Sequence, residues 1–234
     1  GRYYLRVEEP PRSIAISWDT SGSVGPYVPT IIQSIRGFAR YLTPGRDEVQ
    51  LLPFSDPEAV PILNDWTGDP MTAFAALNGY DWHDQSSSAE GGVLGGTRTL
   101  DGRPGTRAII LITDFATSGN LDQRMQSYDL IAKTRARIFG FAIPSGSDAA
   151  GAAVERGLML AYTGLSNGVA TYAGTPADLE KAFTLTAAAL RAPKDYSIRA
   201  EVGFKPPEPG HIQVLVPESE TPPPPSKDRA VLVI

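Results

Sequence analysis

From Ser13 to about Leu190 the chain alternates short apolar runs with amphipathic stretches of helical period. Ser13–Trp18 reads as a buried strand, Glu48–Phe54 as a second, and Val60–Trp66 as a third that Pro61 confines to a sheet edge. Arg107–Thr113 is the most continuous β-branched run, which predicts a central strand buried on both faces. Arg137–Ile143 and Gly168–Tyr172 follow as shorter strands. Helices are expected over Pro26–Tyr41, Asp69–Asn78, Ala89–Leu100, Asp122–Thr134, Ala149–Tyr162 and Pro176–Leu190, with Pro70 suited to a first helical turn. This alternation predicts an α/β fold, doubly wound, with a mostly parallel sheet covered by helices on both faces. Ligands of such sheets sit beyond the carboxyl ends of the strands, at the point where the strand order reverses. Asp19 closes the first strand and Asp114 the central one.

The flanks have a different period. Tyr3–Glu8, Tyr196–Gly203, His211–Val216 and Arg229–Ile234 alternate every second residue, as half-exposed antiparallel strands do. Pro206, Pro207 and Pro209 interrupt them, and the run Pro222–Pro225 reads as an extended linker. The expected division is a flanking β strand in 1–12, an α/β domain in 13–192, and further β segments with the proline linker in 193–234.

Composition narrows the function classes. At 234 residues and 41% hydrophobic content the chain holds one full α/β core and a small appendage. The net charge of −5 and scattered basic residues argue against nucleic acid as a partner. No apolar run is long enough to span a membrane. The absence of cysteine excludes disulfides, zinc–thiolate sites and cysteine nucleophiles. His83 and His211, the two histidines, fall in different predicted modules, so histidine-based catalysis has little support. The chain begins at Gly1 inside a strand-like stretch, without an initiator Met or a charged-then-apolar leader. It is therefore expected to be an excised piece or a mature form.

The candidate chemistry lies in Asp19-Thr20-Ser21-Gly22-Ser23. A carboxylate and two hydroxyls at i, i+2 and i+4 on a strand-to-helix loop can point hard oxygens at one small divalent cation. The competing reading is a structural turn, for which Asp-Thr-Ser-Gly is equally good chemistry. Asp56, Asp65 and Asp69 read as turn residues, and Trp18, Trp66 and Trp82 as packing.

The D-x-S-x-S stretch resembles the metal-ion-dependent adhesion site (MIDAS) of von Willebrand factor A domains, the family that includes integrin I domains. The resemblance covers roughly residues 13–190. It implies a metal held by three loops, with Asp19, Ser21 and Ser23 from the first. A Thr before a helix in the second loop corresponds to Ser86-Ser87-Ser88; register favours Ser88, with Ser87 and Thr97 as alternatives. A Thr-Asp-Gly in the third loop corresponds to Thr113-Asp114-Phe115, which keeps the Asp and replaces the Gly. That replacement would place Phe115 near the ligand face. The implied cation is Mg²⁺ or Mn²⁺, with Ca²⁺ the last choice. Ser21 and Ser23 would ligate it directly, and Asp19 and Asp114 partly through water. The implied partner is a protein presenting Asp or Glu to the open coordination position, in a secreted or cell-surface setting.

The resemblance also implies that the last helix can shift when ligand is captured, and that the α/β domain is inserted in the flanking β module as an integrin I-like domain is in its hybrid domain. The resulting expectation is a non-enzymatic, metal-dependent binding domain. A structural or assembly component, surface or chelatase-like, is the second expectation. A Mg²⁺-dependent hydrolase is the third: Asp-nucleophile phosphatases use D-x-D, whereas Ser21 stands at the second position here.

Overall fold

The eight residues of β4 (Thr106–Thr113) and the eight of β2 (Arg12–Asp19) run parallel through the middle of a sheet, Trp18 beside Ile112. The computed structural model describes residues 5–8, 10–55, 59, 61–63, 65–78, 80, 88–116, 121–191 and 197–200. Its five-stranded sheet has the order β3 (Asp47–Phe54), β2, β4, β5 (Arg137–Ala142), β6 (Val169–Tyr172), and every pairing is parallel. The helices are α1 (Val28–Phe38), α2 (Pro70–Ala75), α3 (Ala89–Leu100), α4 (Leu121–Thr134), α5 (Ala149–Leu165) and α6 (Pro176–Arg191).

Strand periodicity of two sends alternate residues to opposite faces, and two separate cores result. On one face Ile14, Ile16, Trp18, Ile110 and Ile112 meet Ile31, Ile35 and Phe38 of α1 and Leu179 and Phe183 of α6. Phe183 lies between Phe38 and Phe141, at ring separations of 5.7 and 5.1 Å. On the other face Ala15, Ile109 and Leu111 meet Val93 of α3, Ile131 of α4 and Met159 and Tyr162 of α5. Helices therefore cover both faces of the sheet, as the alternating pattern requires.

Helix α3 carries four glycines yet stays helical because the sheet needs its backbone close. A Cβ at Gly95 would meet the Ala59 methyl at 2.4 Å, and one at Gly92 would meet the Phe54 ring at 2.7 Å. At the amino ends of the strands, Asp47 of β3 is buried and accepts from Arg12 Nε at 2.7 Å and from the Thr43 amide at 2.6 Å. That pairing holds the β2–β3 register where the parallel ladder begins.

Among the described residues of Val60–Trp66 the expected edge strand is not seen. On either side of it, Ala59 and Thr67 make isolated antiparallel bridges to Phe54 and Val49 of β3, and within it the Ile62 amide donates to the Leu51 carbonyl at 3.0 Å. Pro61 supplies no amide proton, so a continuous ladder is broken there. The short helix expected over Asp69–Asn78 splits into α2 and one tighter turn, with Asp69 capping α2 through the amides of Met71 and Thr72. The first long helix likewise opens with a tight turn, Gly22–Tyr27, before α1 proper.

By contacts the chain divides into a unit of 10–192 and one of 1–9 with 193–234. Within the latter, β1 (Leu5–Glu8) pairs antiparallel with β7 (Ser197–Ala200), Leu5 opposite Ala200. The strands expected over His211–Val216 and Arg229–Ile234, the prolines at 206, 207, 209 and 222–225, and Asp56, Trp82, His83, Ser86 and Ser87 lie outside the described residues.

Candidate functional site

The chain leaves β2 toward β3 on one side and reaches β4 on the other. The strand order therefore reverses between β2 and β4, and this is the crevice that the topology reserves for a ligand. Asp19 is the last residue of β2, and Asp114 follows β4 directly. Parallel register brings their loops side by side.

Both carboxylates sit at the floor. Asp19 is 1% exposed and Asp114 4%. The Ser21 amide donates to Asp19 Oδ1 at 2.7 Å, and the Thr113 hydroxyl donates to Asp19 Oδ2 at 2.7 Å. The Ala116 amide donates to Asp114 Oδ1 at 2.9 Å. Asp114 Oδ2 accepts from the Ser23 hydroxyl at 2.6 Å, and Ser21 Oγ lies 3.0 Å from Ser23 Oγ. A hydroxyl has one proton. Ser23 spends its own on Asp114, so Ser21 is the donor to Ser23. The first loop thus closes on the third through a chain of hydroxyls, with Ser23 exposed and Ser21 half-buried above the carboxylates. Thr20 fastens the loop to β3, its amide and hydroxyl both donating to the Phe54 carbonyl at 3.2 and 2.9 Å.

Ser88 is the N-cap of α3 and fully buried, and its hydroxyl accepts from the Gly91 amide at 3.3 Å. The next amide, Ala89, donates to the Ala116 carbonyl at 3.4 Å, which links the second loop to the third. Thr97 lies inside α3 with its hydroxyl donated back to the Val93 carbonyl at 2.8 Å, far along the helix from any loop.

Phe115 is not at the rim. It is fully buried, and its ring tip is the nearest neighbour of the space above Gly140, where an added Cβ would lie 3.1 Å from Cζ. Its φ is +61°, the left-handed region that a bulky residue rarely enters. The chain therefore makes the same turn that a glycine would make and holds it by burying the ring between β5 and α5. The sequence signal for this was the presence of a large apolar residue directly after a loop Asp.

Chemically the cluster is a set of hard oxygens: two carboxylates, each with one oxygen tied down by a backbone amide, and hydroxyls that can re-aim. Among the described residues no three His, Cys, Asp or Glu side chains converge as a metal cluster, and the set here holds only two carboxylates. A donor set of carboxylates and hydroxyls suits Mg²⁺ or Mn²⁺ rather than a soft metal. Trp18 packs edge-on against Tyr80 at 5.7 Å beneath the first loop.

Neither a protein-family model nor a curated protein matches the sequence. Solved structures do. The BatB protein of Bacteroides thetaiotaomicron superposes with a TM-score of 0.60 at 17% identity, over 76% of this chain and 98% of that one. A von Willebrand factor type A protein of Catenulispora acidiphila superposes with a TM-score of 0.63 at 14% identity, over 77% of this chain and 43% of that one. Proximal thread matrix protein 1 from the mussel byssus, in a structure whose MIDAS motif is occupied by zinc, gives 0.57 at 14% identity, over 79% of this chain and 48% of that one. The chain thus spans less than half of the latter two. At these identities the likeness is one of fold, and the fold is that of a von Willebrand factor A domain.

Proposed function

We propose that this von Willebrand factor A-type domain binds a protein partner through a divalent cation held by Asp19, Ser21, Ser23, Ser88 and Asp114. The observation that carries the reading is the Asp19–Ser21–Ser23–Asp114 cluster, hard oxygens from two loops meeting at the strand-order switch point. Ser21 and Ser23 are the direct ligands in this reading, with Asp19 and Asp114 acting partly through water. Ser23 would give up its hydrogen bond to Asp114 to turn its hydroxyl oxygen toward the cation. Ser88 would turn its hydroxyl from the Gly91 amide to complete the second loop.

The bound cation supplies one thing, an open coordination position of net positive charge. A partner's Asp or Glu side chain fits that position, because a carboxylate gains a charge-assisted contact in a partly desolvated cleft. Mg²⁺ is the first choice and Mn²⁺ the second, since octahedral oxygen sites with retained waters suit both. The role is binding rather than catalysis: Ser21 stands where a D-x-D phosphatase carries its second carboxylate. The zinc-occupied MIDAS of the byssus thread matrix protein supports the divalent cation, and its place in a thread matrix favours a secreted or surface setting.

The test is thermal unfolding of the wild type and of Asp19→Ala in chelator and in millimolar Mg²⁺ or Mn²⁺. A cation that binds only the folded state raises the midpoint by an increment set by its concentration over Kd. The expected result is a rise in wild type that disappears in Asp19→Ala. Equal behaviour of the two proteins removes the metal reading.

A further inference from the structure

Glu90 is the one fully buried carboxylate of α3, two residues beyond Ser88, and the metal-site reading leaves it without a role. It lies in the first turn of its helix, where the exposed amides favour negative charge. Both Nε and Nη2 of Arg124 donate to Glu90 Oε1, at 3.1 and 3.0 Å. Arg124 belongs to the first turns of α4, the helix that follows the Asp114 loop. Tyr162 of α5 closes the third side, edge-on to Tyr128 at 5.7 Å. Burial pushes the Tyr162 hydroxyl well above its ordinary pKa, and the neighbouring Glu90 charge adds to that.

A buried ion pair is a poor source of net stability, because an apolar pair of similar volume often serves as well or better. Its geometric consequence is more specific. Two donors from one planar guanidinium fix the direction of approach between the helices that carry them. Here those helices begin at the second and third loops. The Ala89 amide bond to the Ala116 carbonyl is long, 3.4 Å, and by itself a weak tie.

We infer that Glu90 is a positioning residue: through Arg124 it holds the start of α3 against the start of α4, and so sets the Ser88 hydroxyl relative to the Asp114 carboxylate. The inference rests on the metal-site reading for its consequence, but the clamp itself is visible without metal. Ser88 and Asp114 are 26 residues apart in sequence by their numbering, and the floor of the site needs them registered to a fraction of an ångström.

The test uses the full chain and two readouts. One is amide hydrogen exchange of Ala89 in chelator, with the Ile110 amide of central β4 as the global reference. The other is a Mn²⁺ titration. Glu90→Gln keeps the shape and removes the charge; Arg124, 30% exposed, retains water as a partner and is not stranded. Ala89 exchange is expected to quicken about tenfold while Ile110 is unchanged, because local opening is separable from global unfolding. Mn²⁺ binding is expected to weaken about tenfold, within the range seen for groups that orient metal ligands. Arg124→Lys, which keeps the charge and loses the two-pronged donor, should fall between wild type and Glu90→Gln in both. Should Glu90→Gln fail to fold, Arg124→Lys carries the same comparison.

Unchanged Ala89 exchange, or Ala89 and Ile110 quickening together, overturns the clamp. Quickened Ala89 exchange with undiminished Mn²⁺ affinity overturns the link to the site. Wild type that binds no Mn²⁺ removes the metal reading instead, and Ala89 exchange then decides the clamp alone.

Discussion

The Ser23 hydroxyl donates to Asp114 Oδ2 at 2.6 Å, across 91 residues of sequence, and joins the loop after β2 to the loop after β4. A single side-chain bond at the switch point thus reports whether the two halves of the site are aligned. Ser23 is exposed and Asp114 is buried, so the pair has a wet side and a dry side.

Ser23→Ala should therefore separate site from fold. Losing one part-exposed hydrogen bond costs about 1 kcal/mol, a shift of a few degrees in Tm for a domain of this size. The increment added by Mn²⁺ should fall to near zero, read by thermal unfolding with and without chelator. A metal increment equal to wild type would take Ser23 out of the ligand set.

Phe115 should reverse a familiar ranking. Truncating a buried Phe to Ala costs about 3–5 kcal/mol, and Ala still has to occupy φ +61°. Glycine takes that conformation freely, against about 1–2 kcal/mol for other residues. Phe115→Gly should thus be the more stable variant by about 1 kcal/mol in denaturant unfolding, although it removes one more carbon. If Ala equals or exceeds Gly, the ring and not the backbone controls the turn.

Two glycines in helices should respond to alanine with opposite sign. Gly95 of α3 has the Ala59 methyl 2.4 Å from where its Cβ would stand, so Gly95→Ala should destabilise by about 1–3 kcal/mol through overpacking. Gly157 of α5 is exposed, with nothing within 4 Å of that point. Gly157→Ala should stabilise by about 0.5–1 kcal/mol through helix propensity alone. Denaturant midpoints of the two variants check both signs.

Asp69 should contribute an acid-sensitive part of stability. Its pKa is lowered, first by the Thr72 hydroxyl at 2.5 Å and then by the Met71 amide at 3.0 Å. A folded-state pKa below the unfolded value means that this contribution is present above pH 4 or so and is lost as pH falls through the folded value. Asp69→Asn should show a flatter stability curve below about pH 4 than wild type, with both followed by thermal unfolding. Parallel curves would assign the acid response elsewhere.

Much of this was legible in the residues. The apolar runs at Ser13–Trp18 and Arg107–Thr113 mark strands because a central parallel strand must bury both faces, and the structure has them as β2 and β4 within one or two residues. Asp19 and Asp114 could be placed at strand ends for the same reason, and a parallel sheet then makes them neighbours. Ala89–Leu100 was readable as a helix despite its glycines, and α3 has those bounds.

Other features depend on atoms far apart in sequence. Val60–Trp66 has strand-like composition, but whether an edge segment pairs continuously depends on amide protons that Pro61 does not have and on how the chain meets β3. Phe115 looked like a rim residue because local pattern says nothing of Gly140, whose missing side chain opens the space that the ring fills. Register already favoured Ser88 over Ser87 and Thr97, but only the structure shows the Ser88 hydroxyl buried at the cap of α3 and the Thr97 hydroxyl turned back on its own helix. The Glu90–Arg124 pair carries no local signal, since each residue alone reads as a solvated helix charge. Sequence by itself determined the order of elements and the loops that carry the chemistry, because periodicity and strand ends are local properties of the chain. Tertiary structure decided which side chains face inward and how the loops register, because those depend on space that remote residues leave or fill.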